Sequence, residues 1–187
     1  AVVMIGGKTF IVKEGKNSVF MAHSDFCLRY ANLKIDGKKA TKRWIESNDT
    51  RRFDEVVFDP TRQCSNSSYN LFKGLAVEPV AGTCDLYLQH IKEIICAGDE
   101  KLYDYVVGWM AHAIQKPTEL PGVALVLRGS QGTGKGTFAK HFGKIFGDHF
   151  QHLVHMDHLL GKFNAHLSSA LVIFADEIVW GGNKKDA

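Results

Sequence analysis

The feature that most limits what this chain can fold into is a loop at residues 129–137, Gly129-Ser130-Gln131-Gly132-Thr133-Gly134-Lys135-Gly136-Thr137. A continuous apolar run, Val123-Ala124-Leu125-Val126-Leu127, comes before it, and a helical stretch reaching Phe146 comes after it. Such a run reads as a strand buried on both faces, which sets the loop between strand and helix. Gly129 and Gly134 stand at the spacing G-x-x-x-x-G-K. Glycines let the backbone turn closely, so that successive N–H groups converge on anionic oxygens. The helix N-terminus adds partial positive charge, and Lys135 adds a full charge suited to the β- and γ-phosphates of a nucleoside triphosphate. A plain glycine-rich turn is the alternative. Four glycines and the lysine, all in register with the flanking elements, stand against it.

One position departs from the usual pattern. Gly136 follows the lysine where a Ser or Thr commonly ligates Mg²⁺; Thr137 comes next and can take over part of that role. The same variant occurs in nucleotide kinases, so a phosphotransferase must be weighed. A second apolar run, Ala170-Leu171-Val172-Ile173-Phe174, ends in Ala175-Asp176-Glu177. Adjacent acids at a strand end match a Walker B element. The first carboxylate, Asp176, suits Mg²⁺, and the second, Glu177, suits activation of the attacking water. Lys135 and Glu177 are therefore the expected catalytic pair, with Asp176 and Thr137 at the metal. A kinase would also need arginine-bearing segments after the loop, and no Arg occurs from Gly129 to the last residue. A nucleotide-gated assembly module without catalysis is the other alternative.

The rest of the chain reads as two further segments. Residues 1–75 form a strand-rich α+β module, with strands expected at Thr9-Phe10-Ile11-Val12, Val19-Phe20-Met21 and Glu55-Val56-Val57-Phe58, and a helix from Ala40 to Ser47. Residues 76–118 form a helical linker. There Leu86, Ile91, Ile94 and Ile95 share one face, Gly98 stands at a C-cap position, and Leu102, Tyr105, Val106, Trp109, Met110 and Ala113 continue the spacing. Residues 119–187 are the nucleotide-binding segment. The net charge of +3 is a weak lean towards anionic partners. The four cysteines have no C-x-x-C pairing, which suits neither a zinc ribbon nor a disulfide scaffold, and they are expected as small buried hydrophobes. No apolar run approaches the ~20 residues of a membrane helix. A chain that begins without Met and stops just after a strand-like segment reads as a piece of something longer.

These motifs carry a family resemblance. The loop at residues 129–137, the interval Gly161-Lys162-Phe163-Asn164-Ala165-His166-Leu167 and the strand ending in Asp176-Glu177 resemble the helicase part of phage and plasmid primase-helicases, superfamily 3-like members of the AAA+ class. Upstream, Arg51-Arg52-Phe53, Val56-Val57-Phe58-Asp59-Pro60, Tyr69-Asn70-Leu71-Phe72-Lys73-Gly74-Leu75 and Tyr105-Val106-Val107-Gly108-Trp109-Met110-Ala111 resemble the region preceding that core. The resemblance implies an α/β fold: an incomplete P-loop NTPase parallel sheet, preceded by the linker and the α+β module. It also implies ATP and Mg²⁺ as ligands, DNA as partner (single-stranded, in the full-length protein), a homo-hexamer when complete, and the host cytoplasm. The parts such proteins carry downstream, a sensor asparagine, an arginine finger and a DNA-contacting hairpin, lie outside this sequence. Nucleotide binding without autonomous turnover is therefore expected. Lys184 and Lys185 read as solvated.

Two features are discounted. His149, His152, His155 and His158 recur every third residue, but a strand over Phe150 to Val154 followed by a new helix would scatter them, which disfavours a metal site. Lys38-Lys39, Lys42-Arg43 and Arg51-Arg52 near Trp44 and Phe53 form basic clusters, for which a solvated face is weighed above a nucleic-acid surface. Trp109 and Trp180 read as packing residues.

Overall fold

A computed structural model describes residues 1–13, 18–154 and 167–176. The chain divides into two compact units, Ala1–Lys73 and Gly74–Ala187, and its fold is mixed α/β. No helix among the described residues is long and apolar enough to cross a membrane.

In the first unit, β1 (Val2–Ile5), β2 (Lys8–Lys13), β3 (Val19–Ala22) and β6 (Arg52–Phe53) form one sheet in the order β3-β2-β1-β6. The β1–β2 and β2–β3 pairs are antiparallel, and β1 runs parallel to β6. The register aligns Val2 with Ile11 and Ile11 with Met21, and all three are buried. The neighbouring positions Val3 and Val12 are also buried, packed with Tyr69, Phe10, Phe20 and Phe53. Apolar side chains therefore leave both faces of these short strands, which explains why the runs lack polar alternation. A hairpin of β4 (Lys34–Ile35) and β5 (Lys38–Lys39) leads straight into α2 (Ala40–Glu46). The short α1 (His23–Arg29) and the parallel pair β7 (Glu55–Val57) and β8 (Ser68–Asn70) complete the unit.

The second unit begins with α3 (Asp85–His90), which runs on as a π-helical turn, Ile91–Ile95. Gly98 N–H closes the end on the Lys92 carbonyl at 2.9 Å. Asp99 then caps α4 (Glu100–Gln115), its carboxylate accepting from Leu102 N–H at 3.0 Å, a contact of the kind that contributes about 1 kcal/mol. The helix α5 (Lys135–Phe146) packs on β9 (Phe150–Leu153) and β10 (Val172–Ala175), a parallel pair in which Phe150 faces Val172. Ile91, Val106, Met110, Phe138, Phe142, Phe146 and Val172 make the core. Gly143 is the point of closest approach: a Cβ there would lie 2.5 Å from the Phe150 ring.

Two expectations are corrected. Residues 123–127 do not form a strand. Val123 is 50% and Val126 87% exposed, and only Leu125 and Leu127 reach the core. An apolar strand is buried on both faces only within a sheet whose two faces are covered by other elements. Among the described residues the parallel ladder of this unit consists of β9 and β10 alone. Trp109 Nε1–H donates to the Val123 carbonyl at 3.3 Å, while its ring packs on the core. The cysteines also differ in part from expectation: Cys96 is buried, but Cys27 and Cys64 are half-buried and Cys84 is exposed. Burial pushes the Cys96 thiol up from its ordinary pKa.

Candidate functional site

The glycine loop ends at the N-terminus of α5, where Gly134 holds a left-handed conformation (φ 84°) that an L side chain adopts at a cost of about 1–2 kcal/mol. That turn releases the chain into the helix, and Lys135 is its first residue. The Lys135 ammonium folds back over the loop and donates to the Gly129 carbonyl at 2.9 Å, the Ser130 carbonyl at 2.8 Å and Thr133 Oγ1 at 3.2 Å. Thr133 in turn donates to the Ser130 carbonyl at 2.9 Å. The full charge of Lys135 therefore lies where the N-terminal N–H groups of α5 contribute partial positive charge. No Asp or Glu occurs between Glu119 and Asp148, so no neighbouring carboxylate in the sequence offsets that potential. Gly129, Ser130, Gln131 and Gly132 are exposed, as is Thr137 in the first turn of the helix.

Asp176 stands one residue past β10. Its N–H continues the ladder onto the Leu153 carbonyl at 2.8 Å. Its carboxylate lies 3.1 Å from His152 Nε2 on β9, a contact in which the ring nitrogen donates. The His152 ring stacks on Phe174 at 5.0 Å between centroids, which fixes its plane. Glu177, Lys184, Lys185, Trp180, His155, His158 and His166 lie outside the described residues. Among the described residues no three His, Cys, Asp or Glu side chains come together as a metal cluster. A cation at Asp176 would therefore take its remaining ligands from hydroxyl, phosphate and water oxygens. That donor set fits Mg²⁺, which keeps several waters and uses one or two carboxylates.

Of the histidine series, His149 and His152 lie among the described residues and point to different partners. His149 is buried, its Nδ1–H donating to the Ser169 carbonyl at 2.8 Å. His152 faces Asp176, and His141 bonds the Thr137 carbonyl one turn back in α5.

Two further residues touch this site that the sequence did not point to. His90, the last residue of α3, places Nε2 3.2 Å from the Gly134 carbonyl. The contact is close enough that a Cβ on Gly134 would lie 2.5 Å from His90 Cε1. One turn earlier, Tyr87 donates its hydroxyl to the Phe138 carbonyl at 2.8 Å and stacks on the Phe138 ring. Burial pushes the Tyr87 phenol up to about 12, so it remains a donor at any physiological pH. The strut of α3 thus grips the loop's end and the first turns of α5. The signal that could have marked it is the π-helical turn directly after His90, since such turns concentrate at functional sites; nothing local in the sequence encodes it.

With this geometry described, the comparisons are specific. Residues 127–187 match a family of unknown function, DUF5906. Over 80 residues the chain is 32% identical to the DNA primase-polymerase of Nitratiruptor phage NrS-1, a match that covers 43% of this chain and 11% of that protein. Within that segment the two are homologous. Two apo structures of the NrS-1 C-terminal region share the fold, with TM-scores of 0.67 and 0.68 at 23% and 24% identity. Each aligns to 92% of this chain, which in turn spans 41% and 42% of the solved chains.

Proposed function

We propose that this chain is the nucleotide-binding part of a phage-type DNA replication protein, an ATPase of the P-loop class whose hydrolysis drives DNA unwinding in the full-length, hexameric assembly. The observation that carries the reading is the position of Lys135. Its ammonium is held over the glycine loop by three hydrogen bonds, at the N-terminus of α5. Gly129, Ser130, Gln131, Gly132, Thr133, Gly134, Gly136 and Thr137 would surround the phosphates with backbone N–H and hydroxyl donors. Lys135 would exchange its loop carbonyls for phosphate oxygens, a trade of neutral acceptors for charged ones that strengthens each bond about twofold.

Asp176 and Thr137 would hold Mg²⁺, which when bound neutralises charge on the phosphate oxygens. His152 donates to the Asp176 carboxylate and so orients it from the neighbouring strand. Glu177, next in the chain, is the proposed base for the attacking water. The parallel pair β9–β10, with Asp176 at its end, supports a P-loop NTPase sheet whose further strands would pair at the open edges. The homology to a phage DNA primase-polymerase supports the replication role and DNA as partner.

The test is calorimetric titration of the chain with ATP and Mg²⁺. Lys135→Ala removes charge-assisted hydrogen bonds of about 1.5–3 kcal/mol each and is expected to lower affinity at least tenfold. Unchanged affinity would sink the assignment of the loop.

A further inference from the structure

We propose that the hairpin β4–β5 and helix α2 of the first unit form a docking surface for the phosphate backbone of duplex DNA. This deepens the DNA part of the proposed function and uses nothing from the nucleotide site.

The charge of this protein is concentrated here. Residues 29–52 hold eight Lys and Arg against three Asp and Glu, a net +5, whereas the whole chain carries +3. The rest of the molecule sums to a slightly acidic −2, so this segment carries the largest excess of positive charge along the chain. Lys38, Lys39, Lys42 and Arg43 line one concavity together with Asp36, Glu46 and Ser47. Those two acids are already engaged: Asp36 pairs with Arg43, and Glu46 lies 3.8 Å from Lys42. The Asp36–Arg43 pair also ties the hairpin tip to α2, as does the bond from Ala40 N–H to the Leu33 carbonyl at 3.0 Å. Lys34, Lys38 and Lys39 are exposed and carry no ion pair among the described residues.

The hairpin is in addition electrostatically frustrated. Lys34 and Lys39 are direct cross-strand partners, and like charges in that relation destabilise a strand pair. Lys38 follows in the same strand. A two-residue ladder that places like charges opposite each other sacrifices stability that any polar pair would have retained. An anion between them reverses the sign of the interaction. Conflicts of this kind between local stability and sequence mark binding surfaces.

The ligand is a phosphate backbone in a duplex. The aromatic residues nearby pack on one another, Phe26 tilted against Trp44 at 5.2 Å and edge-to-face with Tyr30 at 5.3 Å between centroids. They are not free platforms for unstacked bases, which single-strand binding requires. Lysines supply point charges without the forked geometry that reads base edges, so the contact is independent of sequence.

The experiment is fluorescence anisotropy of a labelled 20-base-pair duplex of arbitrary sequence, titrated with the whole chain at several salt concentrations. Wild type is expected to bind with a steep salt dependence. The variant Lys34→Gln/Lys38→Gln/Lys39→Gln should reduce the log–log salt slope by about 3 and weaken binding at low salt at least tenfold. Arginine at the same three positions should restore binding. The control Lys8→Gln/Lys101→Gln/Lys144→Gln, which removes as many exposed charges elsewhere, should stay within about twofold of wild type on the same reasoning. Equal weakening in both variants, or wild-type binding by the hairpin variant, overturns the surface while leaving the DNA role standing. Tighter binding to a single strand of the same length overturns the duplex assignment. ATP titration of the same samples reports on the nucleotide reading separately.

Discussion

Substituting Gly134 probes how the glycine loop is built, because two costs of different origin meet at that residue. An alanine there must adopt the left-handed backbone at φ 84°, at about 1–2 kcal/mol. Its Cβ would also lie 2.5 Å from His90 Cε1 and 3.0 Å from Nε2. The ring cannot simply swing aside, since its bond to the Gly134 carbonyl contributes about 0.5–1.5 kcal/mol. Relieving overlap in a packed site costs about 1–3 kcal/mol. Gly134→Ala should therefore destabilise the second unit by about 2–5 kcal/mol. In a His90→Ala background the steric part disappears and only the backbone cost, about 1–2 kcal/mol, remains. A double-mutant cycle by urea unfolding should thus give a coupling of about 1–3 kcal/mol between the two positions. Calorimetric titration with ATP and Mg²⁺ on the same four proteins should show the pattern in affinity, at tenfold per ~1.4 kcal/mol. If Gly134→Ala costs the same whether or not His90 is present, the α3 strut does not set the loop's conformation, and the argument fails.

Two further predictions concern titration. Burial holds the Tyr87 phenol at about 12, above its ordinary value of 10.0. Its stabilising contribution is therefore fully present below pH 10 and is lost as pH rises through about 12. Ultraviolet titration should show a late phenol that Tyr87→Phe removes, and loss of no such phenol in that variant would contradict the packing described. Asp59 is held below its ordinary 3.8, first by the Thr61 hydroxyl at 2.6 Å and then by the N–H groups of Thr61, Gln63 and Cys64. Its contribution is present above the ordinary value and is lost as pH falls through the lowered one. NMR titration of the Asp59 carboxyl should shift upward in Thr61→Val, and an unmoved curve would remove the hydroxyl as the leading cause.

What could be read from the sequence alone rests on short-range physics. The spacing of glycines and Lys135, the helical period reaching Phe146, the strand before Asp176 and the two linker helices with Gly98 at their break all depend on neighbours within a few turns. Residues 123–127 show the limit of such reading. Their apolar run satisfies the pattern of a doubly buried strand, yet burial is a property of what packs against the segment, and Val126 stays 87% exposed. The strut and the His152–Asp176 contact lay further out of reach. His90 meets Gly134 across 44 residues, and His152 meets Asp176 across 24. Neither contact has a periodic signature, because each is set by how α3 packs on α5 and how β9 registers with β10. The sequence thus determined which loop and which acid are present. Tertiary packing alone decided which side chains hold them in place, since a contact between distant segments exists only once the intervening chain has folded.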